Sequence, residues 1–256
     1  MEAKQLTFRY GMNPFIQNLD THIEKERITT IIGPNGSGKS TLLNLFVNQL
    51  KPENGSILLE GKELSSYKQK KLAEKIAIVY QQNSAPGDIT VDRLIRYGRT
   101  PYQSFFSSKD EDEEQVIDWA LSVTNLTELQ TKKLSELSGG ERQRAWIAMA
   151  LAQKTEILFL DEPTTYLDIY YQYEILNLIR ELNHNFKMTI VMVLHDINQA
   201  LQFSDNVIIM KKGRIVFDGS VREGITEHRI EEVYGIKSII QWCEQNKCPY
   251  MIPLAT

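Results

Sequence analysis

The chain has 256 residues, 42% of them hydrophobic and 24% charged, proportions that exclude a disordered, collagen-like or disulfide-stapled polypeptide. Lys and Arg number 29 against 33 Asp and Glu, a formal charge of -4 that is too mild to imply a nucleic-acid partner. The opening MEAKQLTFRY lacks the basic start and apolar run of a secretion signal, and no apolar stretch approaches the roughly 18 residues of a membrane span. Cys243 and Cys248 have no third cysteine or histidine beside them, which argues against a closed zinc site and for two reduced thiols.

In chain order, residues 4–9 alternate polar and apolar side chains and predict a half-buried strand. The β-branched run 28–32 predicts a more fully buried strand ending at Gly33. A helix over 41–50 follows, with Leu42, Leu45, Phe46 and Leu50 on one stripe, and then a short strand over 56–59. Apolar runs at 76–80, 157–160 and 189–194 predict further strands. Between 84 and 152 the patterning is helical. Ser108 and Glu111 have capping-box spacing, and Val116, Trp119, Ala120 and Val123 form an amphipathic stripe. The acidic run 110–114 suits a solvated first helical turn. Near the end, Ile230, Val233 and Ile236 suggest a short helix and 249–253 a last strand. This order predicts an α/β fold: a mostly parallel sheet with helical crossovers, an antiparallel β edge, and a helical subdomain inserted at about 84–152. Residues 1–236 would form the main domain and 237–256 a short C-terminal extension.

The sharpest chemical signal is Gly33-Pro-Asn-Gly-Ser-Gly-Lys-Ser40, a G-x-x-x-x-G-K-[ST] phosphate loop between a predicted strand and helix. Its residues Gly33, Pro34, Asn35, Gly36, Ser37 and Gly38 let the backbone wrap an anion, and Thr41 continues the helix start. Lys39 would neutralise the β- and γ-phosphates, and the Ser40 hydroxyl would ligate Mg2+. After the strand 157–160, Asp161 would hold that magnesium and Glu162 would polarise the attacking water. His195, beyond the strand 189–194, reads either as an orienter of the γ-phosphate or water, or as a helix cap. Asn246-Lys247 runs into Cys248-Pro249 and not into the aspartate of a guanine-reading motif, which leaves ATP. Tyr10 could stack on the adenine or simply pack at a sheet edge.

Leu137-Ser-Gly-Gly-Glu-Arg-Gln143 opens another helix and offers a second anion cradle at Ser138, Gly139 and Gly140. With it, the chain from Tyr10 to about Gly219 resembles the ATP-binding cassette (ABC) ATPases, the nucleotide-binding subunits of ABC transporters. The resemblance implies a P-loop NTPase core and ATP with Mg2+ held between two head-to-tail copies, the phosphate loop of one facing the signature of the other. It implies that Gln81, or its neighbour Gln82, contacts magnesium and water, and that Asp168 of the segment 165–168 reaches across the dimer. Tyr166 stands where the family commonly has a small residue. Integral-membrane permease subunits would be gripped near Gln81 and 84–106, with an extracellular substrate-binding protein as an indirect partner. The subunit would sit peripherally on the cytoplasmic face of the cell membrane, with no nucleic acid involved. The alternative is a cytosolic ABC ATPase acting on nucleic acid or ribosomes, which usually carries two cassettes or a long coiled coil. The segments 144–153 and 163–169, with Thr90-Val-Asp-Arg-Leu and Gly98-Arg-Thr-Pro101, resemble the importers of ferric siderophores, haem and cobalamin, with siderophores favoured.

Overall fold

The computed structural model describes residues 1–102, 111–245 and 247–255 and divides into two compact units. The first unit opens with β1 (Glu2–Tyr10), β2 (Asn13–His22), β3 (Ile28–Ile32), α1 (Lys39–Phe46), β4 (Asn54–Leu59) and β5 (Lys62–Glu63). The second, Lys68–Met188, holds α2 (Gln69–Ala73), β6 (Ile76–Val79), α3 (Val91–Tyr97), α4 (Glu111–Val123), α5 (Gly139–Ala152), β7 (Ile157–Asp161) and α6 (Ile169–Phe186). The chain then returns to the first unit as β8 (Thr189–Val193), α7 (Ile197–Phe203), β9 (Asn206–Lys211), β10 (Arg214–Ser220), α8 (Val221–Gly224), α9 (Glu227–Tyr234), β11 (Ser238–Cys243) and β12 (Cys248–Pro253). Among the described residues, no helix is long and apolar enough to cross a membrane.

In the first unit, β2-β1-β4-β5 form an antiparallel sheet, while β3 runs parallel to both β8 and β9 and β10 closes on β9 as a hairpin. Every residue of β3 and β8 is buried, as a parallel strand covered on both faces requires. In β1 the inward residues are Ala3, Leu6 and Phe8. A bulge at Gln5, whose φ is 51, breaks the alternation between the first two, and Asn18 (φ 46) breaks β2 in the same way. The helix expected over 41–50 stops at Phe46. Asn48 turns into the left-handed region, and the amides of Gln49 and Leu50 fold back onto the Asn44 carbonyl.

In the second unit, β6 and β7 pair in parallel, and the described residues between 84 and 152 carry helices without a strand longer than a bridge. The core face of α4 is Val116, Ile117, Ala120 and Leu121, so the expected stripe is displaced. Trp119 lies at its margin, edge-on to Phe186 with ring centroids 5.2 Å apart. Glu114 of the acidic run is not merely solvated. It accepts two 2.8 Å bonds from the Arg96 guanidinium, which also bonds Asp92. The expected Ser108 cap, Asp110 and positions 103–106 of the permease-facing segment lie outside the described residues. Near the C-terminus, Ile230 and Val233 are buried in α9 but Ile236 is exposed beyond it, and the last strand pairs with β11, which the sequence pattern does not announce.

Candidate functional site

The first unit builds the phosphate loop. Gly33, Gly36 and Gly38 have φ of 153, 74 and 108, values that L side chains rarely adopt, and a Cβ at Gly33 would lie 2.2 Å from the Met210 carbonyl. The loop is braced by its own turn, Ser37 to the Pro34 carbonyl, and by the β9–β10 turn, whose Gly213 amide donates to the Ser37 carbonyl at 2.8 Å. Lys39 is buried, its ammonium donating to the carbonyls of Gly33 (2.9 Å) and Pro34 (3.2 Å). Gly38 caps α1 with no side-chain acceptor, so the first helical amides and a buried cation converge where an anion fits. Among the described residues, the buried Ser37 hydroxyl has no hydrogen-bond partner.

Tyr10 ends β1 beside this loop. Its hydroxyl is 3.1 Å from the Thr41 hydroxyl, and its ring stands edge-on to Phe8 and Phe15, yet 52% of the residue is exposed. Packing and an open ring surface thus coexist at this residue. Burial pushes the Tyr234 phenol up, opposed by a hydrogen bond from the Gly33 backbone, so the end of α9 also touches the loop. His195 is exposed past β8 and is not the cap of α7. Asp196 is, accepting from the amides of Asn198 (2.7 Å) and Gln199 (3.2 Å).

The second unit builds an acidic strand end. Asp161 is buried as the last residue of β7, and burial together with its charge raises the Tyr80 phenol. Glu162 follows in the left-handed region at φ 51. Its Oε2 accepts from the Gln81 side-chain amide at 2.5 Å and from the Thr165 hydroxyl at 3.1 Å. Of the adjacent pair Gln81 and Gln82, it is therefore Gln81 that meets the carboxylate. Gln81 donates through Nε2, so its amide oxygen is the acceptor end of the side chain.

At the start of α5, Ser138 and Glu141 form a reciprocal capping box: Ser138 N donates to Glu141 Oε2 at 2.7 Å, and Glu141 N donates to Ser138 Oγ at 3.3 Å. That leaves the amides of Gly139 and Gly140 as the helix donors without an intrahelical acceptor. A Cβ on Gly140 would lie 2.4 Å from the Tyr171 ring, so only glycine fits. Asp168 caps α6 through the Tyr171 amide at 3.1 Å, beside Tyr166, which is 84% exposed with φ 66. The sequence pattern does not single out Phe15, Asp196, Gly213 or Tyr234, and it names Thr165 only as the start of the segment 165–168, not as a partner of Glu162. Only Asp196 carried a local signal, a capping-box spacing to Gln199.

Residues 16–165 match the ABC transporter family. The petrobactin import ATP-binding protein FpuC of Bacillus anthracis is 45% identical over 93% of this chain and 87% of its own length. The ferric enterobactin transport ATP-binding protein FepC of Escherichia coli is 40% identical over 99% and 94%. The dimeric structure of the bacterial ABC transporter cassette MJ0796 superposes with a TM-score of 0.73 at 28% identity, covering 86% of this chain and 98% of that one. A family match over more than half of the chain, and relatives alike along nearly all of it, decide the matter: this chain belongs to the ABC transporter family, as an ATP-binding subunit that hydrolyses ATP.

Proposed function

We propose that the chain is the motor subunit of an importer of ferric siderophores, working as an ATP-bridged pair of copies beneath a membrane permease. The observation that carries the motor reading is the presence of two glycine-lined helix starts in one chain, at α1 and α5, where one triphosphate needs only one. Cassettes of this family act as dimers and, in importers, with permease subunits. FpuC and FepC, named for petrobactin and ferric enterobactin, support the substrate class.

In this reading the loop 33–41 binds the phosphates, Lys39 balances their charge and Tyr10 carries the adenine on its open ring face. Ser40, Gln81 and Asp161 offer only hard oxygen donors, a set that suits Mg2+, which when bound would neutralise charge on the β- and γ-phosphates. Glu162, held by Gln81 and Thr165, orients and polarises the attacking water. His195 is the second orienter at the γ-phosphate. Ser138, Gly139, Gly140 and Asp168 serve the nucleotide bound by the other copy. The helical segment about 84–152 is the inserted subdomain of a domain spanning 1–236, with 237–256 as its extension, and the pair sits on the cytoplasmic face of the membrane through the permease.

Growth on iron tests this. In a host lacking the chain's gene, the wild-type chain is expected to restore growth on a ferric siderophore as sole iron source, and Glu162→Gln to fail. Restoration only with haem as the iron source, or rescue only of a cobalamin requirement, would overturn the substrate class. Equal restoration by both forms would overturn the motor.

A further inference from the structure

The hairpin β11–β12 places two thiols opposite each other. Its register is continuous from Ser238–Pro253 to Cys243–Cys248, which makes the two cysteines direct cross-strand partners on one face. Pro253 and Pro249, opposite Ser238 and Trp242, have no N–H and cannot exchange two hydrogen bonds. The doubly bonded pairs must therefore be the alternate ones, including Cys243–Cys248, a phase that the Leu254 amide donating to the Lys237 carbonyl at 2.9 Å continues. Such pairs have Cα atoms about 5.5 Å apart, inside the roughly 4.4–6.8 Å span that a disulfide bridges.

Neither strand is a loose tail. The Asn198 side chain of α7 grips Met251 of β12 on both sides, donating to its carbonyl at 3.1 Å and accepting from its amide at 2.6 Å. On β11, the Ile240 amide donates to the Glu227 carboxylate at 2.9 Å. Both cysteines are free and half-buried.

We propose that Cys243 and Cys248 form a redox-reactive dithiol that a small-molecule disulfide converts into an internal bridge. Burial and the neighbouring Cys243 raise the Cys248 thiol. The Cys243 thiolate attacks one sulfur of the external disulfide and expels the other as a thiolate. Cys248, giving up its proton, then attacks the Cys243 sulfur of the mixed disulfide and expels the second external thiol. Two protein thiols become one disulfide, and one external disulfide becomes two thiols.

The test incubates the reduced full-length protein with oxidised glutathione, blocks remaining thiols with iodoacetamide, and reads intact mass and linked peptides. The wild type is expected to lose both thiols, to fall in mass by two hydrogens, and to yield a linked Cys243–Cys248 peptide within one chain. Cys243→Ser and Cys248→Ser should instead stop at a single glutathione adduct. Full alkylation of both wild-type cysteines, stable adducts on both, or a bridge between two chains would overturn the proposal.

Discussion

Glu162 and Tyr10 show two ways in which the fold fixes a single side chain. The left-handed backbone at Glu162 is a non-glycine conformation that costs about 1–3 kcal/mol and persists only where its surroundings fix it. Here the Thr165 amide returns to the Glu162 carbonyl at 3.2 Å while the Thr165 hydroxyl and Gln81 hold the carboxylate, so both ends of the residue are tied. Tyr10 is fixed differently, by two edge-on rings and a hydroxyl contact that leave half of it in solvent. If that ring carries adenine, Tyr10→Ala should weaken ATP binding by about 1–3 kcal/mol, the range for stacking on one base. Tyr10→Phe should bind within a few-fold of the wild type, because the hydroxyl bonds Thr41 and not the base. Fluorescent-nucleotide titration separates them, and equal affinity in all three proteins would remove Tyr10 from the pocket.

The helix α5 carries its own cap, and that cap titrates. The Ser138 amide and hydroxyl hold the Glu141 carboxyl below the usual carboxylate range. A depressed carboxylate stabilises the fold only while ionised, so its contribution is full above about pH 4.5 and is lost as pH falls through the lower folded value. Glu141→Ala should cost about 1 kcal/mol at neutral pH, a difference that closes in acid, whereas Glu141→Gln keeps an acceptor and should flatten the pH dependence. Denaturant unfolding at several pH values checks both. The reciprocal cap of Ser138 and Glu141 emerges only in the structure, whereas the strands that flank the phosphate loop and the carboxylates were legible in the sequence, because unbroken β-branched runs and fixed glycine spacings are local signals. Other elements were hidden for equally physical reasons. In the antiparallel edge the strands at 4–9 and 56–59 were legible, but β2 was not, its period of two broken at Asn18, and β9 and β10 form a hairpin in which a Cβ at Gly213 would lie 1.6 Å from the Phe15 carbonyl oxygen. The roles of Gly213, Phe15 and Thr165 depend on partners far along the chain or on a turn's exact φ, and no window of residues reports those.

For the whole molecule the decisive quantity is how differently ATP binds one copy and two. A ligand indifferent to two states shifts neither, so ATP can drive assembly only by touching more protein in the pair than in the single chain. The two helix starts belong to different units of the chain, and the second, with its Gly139 and Gly140 amides, is the extra contact that pairing would add. In the proposed pair, hydrolysis would remove the γ-phosphate and with it that extra contact, releasing the two copies. Replacing Glu162 by glutamine keeps the shape and removes the carboxylate proposed to polarise water, an effect of about 10²–10⁴ in rate for a general base. Glu162→Gln should therefore bind Mg-ATP, turn it over slowly by that factor, and accumulate as a dimer in light scattering, whereas the wild type returns to single chains as ATP is consumed. A variant that stays monomeric with the nucleotide site saturated would show that the α5 cradle meets no phosphate from a second copy.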